Sequence, residues 1–171
     1  MSMKRPYLSR ELLFEKLVEN INRNRKGFVV ALIQELAKLE GFPVLPGVKF
    51  RSYSAVCSRY RFTTREVEIA PRYFTIMTRE LERENIKGAQ KALWDIVCHV
   101  AHEFSHFMHH AATGWDAVKA FPSWAFRLPH RDRPHEKVAM EYHRRIALEF
   151  MNAVLGYETR LKPFVDRWSR G

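Results

Sequence analysis

Helical periodicity at both ends of the chain, a short alternating stretch between them, and room for one core in 171 residues predict an α+β domain. Leu12, Leu13, Leu17 and Ile21 recur at helical spacing behind Ser9, a residue suited to an N-cap. The polar run 22–27 interrupts them. A second helical run, 28–39, ends at Gly41, with Pro43 and Pro46 beyond it. An αα-hairpin is expected there, with one long kinked helix as the alternative. In residues 48–70 the period changes to two: Val48 and Phe50, Tyr60 and Phe62, then Val67 and Ile69 alternate with polar residues. Thr63-Thr64-Arg65 reads as a hairpin turn and Pro71 as the end, so a small antiparallel sheet is expected.

Residues 75–84 read as a short helix and 89–112 as a long one closed by Thr113-Gly114. A structureless loop of about twenty residues follows, a length that in compact domains is often functional. The last helix starts near Asp132 or Pro134 and runs to about Gly156, and a short tail carries Pro163 and Trp168. Residues 1–47 are thus expected to form an N-terminal helical arm and 48–171 the main domain, within one compact unit.

Composition narrows the class. Hydrophobic residues at 46% and charged residues at 28% are ordinary for a globular chain and exclude disorder. No apolar run approaches the ~20 residues of a membrane span, and no secretory leader is visible, so membrane attachment is not expected. Two cysteines, Cys57 and Cys98, fit a reducing compartment, and the expected location is cytoplasmic. The charge is unusual: 29 Lys and Arg against 19 Asp and Glu give +10. Residues 48–92 contribute +5 of this and residues 93–134 nothing. The excess therefore lies ahead of the histidine-rich stretch.

That stretch holds His102-Glu103-Phe104-Ser105-His106, an HExxH pattern with a chance expectation of about 0.03 per chain of this composition. Four residues advance a helix by about 400°, which leaves the two imidazoles one turn apart on one face. Both can reach one tetrahedral ion, while Glu103 stands at the flank, placed to hold a water and take its proton. Trp94, Ile96, Val97, Val100, Ala101, Phe104 and Phe107 make this helix apolar nearly all round, so its histidines need polar partners. His109, about 10 Å along the axis from His102, is too far to share the ion.

A third ligand must come from elsewhere. On the last helix Glu136 shares a stripe with Ala139, His143, Ile146, Ala147, Phe150 and Val154, a costly place for an unpaired carboxylate. Ligation would account for it. A helix-dipole position in an exposed first turn is the alternative, and His135 or His143 could substitute as ligands. Glu141 falls on the opposite, solvent side of the wheel and is the weakest choice.

An HExxH helix, a Glu thirty residues after it at the start of a following helix, and a small sheet before both resemble the gluzincin branch of the zincin metallopeptidases. The size resembles minigluzincins, related peptidases of phages and mobile elements, and the SprT-like group, although the zinc-ribbon cysteines of the last are absent. The likeness covers about residues 48–155. It implies a zincin-like fold and a Zn2+ ion held by His102, His106 and Glu136, with Glu103 as the general base in peptide-bond hydrolysis. It further implies a protein or peptide substrate laid along an edge strand from residues 58–62 or 66–70, and an oxyanion donor, for which His143 and Tyr142 are the candidates.

Other residues allow two readings. Cys98 is a small buried thiol before it is a ligand. Asp95 can orient a histidine or pair with Lys91. Trp115, Phe121, Trp124 and Phe126 can form a lid or a satellite core. Lys49, Arg51, Arg59, Arg61, Arg65 and Arg72, interleaved with Tyr53, Tyr60, Phe62 and Tyr73, suit single-stranded nucleic acid or an acidic partner. They equally suit the solvent face of a sheet. A catalytically inactive protein of the same fold, binding through that basic face, is the alternative function.

Overall fold

The computed structural model describes residues 10–171. Among them seven helices and a three-stranded sheet make an α+β domain. The cap expected at Ser9 lies outside the described residues. Helix α1 (Arg10–Arg23) and helix α2 (Arg25–Leu39) are separated by Asn24 alone. Asn24 leaves the helical region at φ −142°, and its side chain accepts the Gly27 N–H at 3.0 Å. The polar run 22–27 is therefore not a loop. Its Arg and Lys residues are good helix formers, and one capping Asn suffices to turn the chain.

The two helices are built into the common core. Phe14, Leu17, Val18 and Ile21 of α1 and Phe28, Leu32 and Leu36 of α2 are buried in it. The Phe28 ring meets Phe150 at 6.1 Å, Phe164 at 5.9 Å and Trp168 at 5.2 Å, joining the start of the chain to its end. Those last two partners sit on helix α7 (Lys162–Arg170), where a short tail was expected. Pro163 falls in its first turn, where the missing N–H costs nothing, so it starts this helix and does not prevent it.

Strands β1 (Gly47–Phe50), β2 (Arg59–Arg61) and β3 (Glu66–Ile69) lie in the order β1-β3-β2. The expected antiparallel sheet is in fact mixed. β2 and β3 form the antiparallel hairpin, with Tyr60 opposite Val67, and Arg65 takes the left-handed φ of 54° in the turn. β1 instead runs parallel to β3, Gly47 opposite Glu66 and Phe50 opposite Ile69. A period-two pattern sets which side chains face the core but not which distant strand a segment pairs with, and the hairpin displaces β1 to the far edge.

The sheet's outer face is ionic. Lys49 pairs with Glu66 at 2.9 Å, and Arg59 and Arg61 both pair with Glu68, whose carboxyl is held below its usual range chiefly by the Arg59 hydrogen bond. Arg51 donates to the Cys57 carbonyl, Arg65 stacks on Trp115 and Arg72 lies over Tyr73. Each basic residue of the interleaved stretch thus has a partner in the chain.

Helix α3 (Arg72–Glu82) leads through Asn85, which caps the Gly88 N–H at 3.1 Å, into helix α4 (Ile86–Ala112). Fourteen of the 27 residues of α4 are buried, so it is the axis of the molecule, packed by α3, the sheet and helix α6 (Pro134–Val154). The connection from α4 to α6 is not structureless. Asp116 caps helix α5 (Ala117–Ala120), and Pro122 and Pro129 each precede a 3-10 turn, Ser123–Arg127 and His130–Asp132. Among the described residues no helix is long and apolar enough to cross a membrane.

Candidate metal centre

α4 and α6 pack side by side, and this brings His102, His106 and Glu136 together. Their ligand atoms all lie within 4.8 Å of one another. His102 Nε2 is 2.9 Å from Glu136 Oε2, His106 Nε2 is 3.2 Å from Glu136 Oε1, and the two Nε2 atoms are 3.1 Å apart. Burial alone would raise the Glu136 carboxyl, but hydrogen bonds from His102 and His106 hold it far below the usual range. Each Nε2 can carry a proton for its own Glu136 oxygen, or, deprotonated, both can turn their lone pairs with the carboxylate toward one shared cation. Two neutral imidazoles and an ionised carboxylate are a donor set for a divalent transition ion. The residues therefore fit a metal.

His143, one of the α6 stripe, stands behind His102 with its Nδ1 3.0 Å from His102 Nδ1. Burial first, then the neighbouring His102, push the His143 imidazole down to about 4, so at neutral pH it carries no charge and can accept the His102 Nδ1–H. That bond needs the His102 proton on Nδ1, the tautomer that frees the Nε2 lone pair for a cation in place of its hydrogen bond to Glu136. His106 Nδ1 has no such partner and is buried without a hydrogen bond. Tyr142 faces away: it is buried against Arg145, in the field of Glu40 and Arg160, and does not reach the cleft. Glu141 is exposed to solvent, as its place on the wheel requires.

Glu103 is 6% exposed. Burial, with the Glu136 charge second, raises its carboxyl to about 8 against the opposing hydrogen bond from the Tyr60 backbone N–H. Tyr60 lies on β2, an edge strand of the sheet, so one strand both borders the cleft and fixes this carboxyl. The cleft itself has a volume of about 420 Å³ and is lined by Ser58 to Tyr60 and by Phe121, Phe126 and His130, among others.

The chain matches no protein-family model, no curated protein and no solved structure.

What the site can do follows from its donors and their surroundings. His99 Nδ1 lies 2.7 Å from Ser58 Oγ, which itself accepts the Ala70 N–H. Burial lowers that imidazole to about 4. His109 reaches the Ala120 carbonyl at 2.9 Å, outside the centre, and Asp95 pairs with Lys91 at 2.5 Å. Cys98 lines the cleft as a free thiol, pushed up to about 12 by burial. The loop aromatics divide: Trp115 packs on Phe107 and His110, Phe121 and Phe126 wall the cleft, and Trp124 is 56% exposed.

Two contributors escape a reading of motifs. The Tyr60 N–H is a backbone group and leaves no trace in residue type. His130 sits on a 3-10 turn, six residues before Glu136, and its Nε2 lies 3.2 Å from Glu136 Oε1. Its only sequence signal is a histidine just ahead of the helix that carries Glu136.

Proposed function

We propose that this chain is a zinc-dependent metallopeptidase that hydrolyses peptide bonds in a protein or peptide substrate. The observation that carries the reading is the convergence of His102, His106 and Glu136 beside a buried Glu103 in one open cleft. Zn2+ held by those three side chains supplies Lewis acidity, acidifying water and polarising a carbonyl. Glu103, held by the Tyr60 N–H, is the general base: its carboxylate takes the proton of the attacking water and delivers it to the leaving amine. A cation beside Glu103 offsets the burial and the Glu136 charge that otherwise keep it protonated, so the base is ionised when the site is loaded.

His143 positions His102 in this reading, a different task from oxyanion donation. An extended substrate adds to the free edge of β2 and leads its scissile bond past Glu103, with Phe121 and Phe126 offering apolar contact to its side chains. Purified chain should carry one zinc per molecule and cleave a peptide library, and chelation should abolish both. Glu103→Gln should keep the zinc while lowering kcat at least about 100-fold, the least expected of a general base. Cleavage by the Gln variant at the wild-type rate would overturn the mechanism.

A further inference from the structure

Glu136 Oε1 lies 3.2 Å from His106 Nε2 and 3.2 Å from His130 Nε2. Two more imidazoles besides the HExxH pair therefore lie near this carboxylate, since His135 Nε2 is also 3.7 Å from the same oxygen. They differ in freedom. His135 is 5% exposed and wedged among the rings of His106, Phe121 and Phe126, so it cannot advance without displacing them. The His130 side chain is 68% exposed, whereas the Glu136 and His106 side chains are each 8% exposed.

Its backbone is held while its side chain is free. The His130–Asp132 turn is closed by Asp132 N–H to Pro129 O at 2.9 Å and Arg133 N–H to His130 O at 3.3 Å. Pro129 before it and Pro134 after it, at the start of α6, fix the neighbouring φ angles. Rotation about the side-chain bonds alone carries the imidazole toward or away from the centre, a nanosecond event for an exposed residue.

We infer that His130 is a fourth, displaceable ligand of the metal centre, closing it in the resting protein and yielding its place to substrate. A tetrahedral ion with three protein ligands keeps one position open. His130 stands outside the group formed by His102, His106 and Glu136, but its exposed imidazole is already 3.2 Å from Glu136 Oε1, so side-chain rotation is what brings it to the ion. The cost of the exchange is small because the leaving imidazole passes directly into water. This inference rests on the metallopeptidase reading only for the presence of the ion.

The test uses the full chain loaded with Zn2+, and His130→Ala and His102→Ala variants. X-ray absorption at the zinc edge should count three imidazoles in the wild type and two in His130→Ala. Competition with a chromophoric chelator should show zinc affinity about 10-fold weaker in His130→Ala, the lower end of what loss of a supporting residue costs such a site. Azide added to the Co2+-loaded protein should perturb the visible spectrum at lower concentration in the variant than in the wild type. Thermal stability of the metal-free variant should match the wild type, because the side chain is exposed. Two imidazoles in the wild type, with affinity and azide response unchanged in His130→Ala, would overturn the inference while leaving the three-ligand centre intact. Unchanged zinc binding in His102→Ala would instead overturn the centre itself, and His130 with it.

Discussion

At Glu103 a single residue carries the tension of the site, since the apolar wall that shields the cleft also raises its carboxyl to about 8. The same burial acts on Cys98, whose thiol is pushed up to about 12, whereas Cys57 is exposed on the cleft's rim. The two thiols are therefore expected to separate under iodoacetamide at pH 8. Peptide mapping should find Cys57 alkylated and Cys98 unmodified, and equal labelling of both would contradict the burial of the α4 face. His102, Glu103 and His106 were legible because one helical turn fixes their spacing whatever the rest of the fold does. Glu136 was legible because a carboxylate on an apolar stripe requires a partner. His130 and the Tyr60 N–H were not, because their places depend on a 3-10 turn and a strand edge that only the packed molecule defines.

Among the elements, the long helices follow from local pattern: α4 and α6 were expected within a few residues of their observed ends. Structure departs from local pattern where one signal has two structural outcomes. Asn24 and Pro163 can end a segment or begin a helix, and the buried neighbours of α2 and α7 decide for the helix. The parallel partner of β1 is a non-local choice that alternation does not encode. Helix starts provide a test that separates scaffold from site. Asn85 accepts the Gly88 N–H and donates to Glu80 Oε2 at 2.6 Å, seventeen residues ahead of His102. Asn85→Ala should cost about 1 kcal/mol in urea unfolding. Fraying of a first turn does not reach four turns along a packed helix, so zinc affinity should stay at the wild-type value. A parallel loss of zinc affinity would show that the start of α4 is coupled to the centre.

On the scale of the molecule, the basic stretch from Lys49 to Arg72, within the segment that contributes +5 of the +10 charge, already has carboxylate, carbonyl or ring partners. The groups that set pH behaviour are instead the ones buried around the cleft, and they act in opposite directions. Glu103 is raised from 4.5 to about 8, so between those values the folded chain binds a proton that the unfolded chain has released. Stability of the metal-free protein therefore falls as pH rises across that interval. His99 and His143 are lowered from 6.5 to about 4, so between those values the unfolded chain binds protons that the fold excludes. Their contribution is present above 6.5 and lost as pH falls toward 4. Burial also lowers His110 and His135, so below 6.5 the histidines together outweigh Glu103, and above it Glu103 dominates, which places the stability maximum of the metal-free chain near pH 6.5. Carboxylates held low by ion pairs, Glu66 and Glu68 among them, add to the loss only below about 4.5. Urea midpoints of chelator-treated protein from pH 4.5 to 8 should trace this peak. Glu103→Gln should flatten the alkaline arm and His99→Gln should make the acid arm shallower. Saturating zinc should also remove the alkaline arm, because a cation beside Glu103 favours its ionised form. A metal-free chain whose stability keeps rising from pH 6.5 to 8 would show that the Glu103 carboxyl is solvated, and that the cleft is wetter than its apolar walls require.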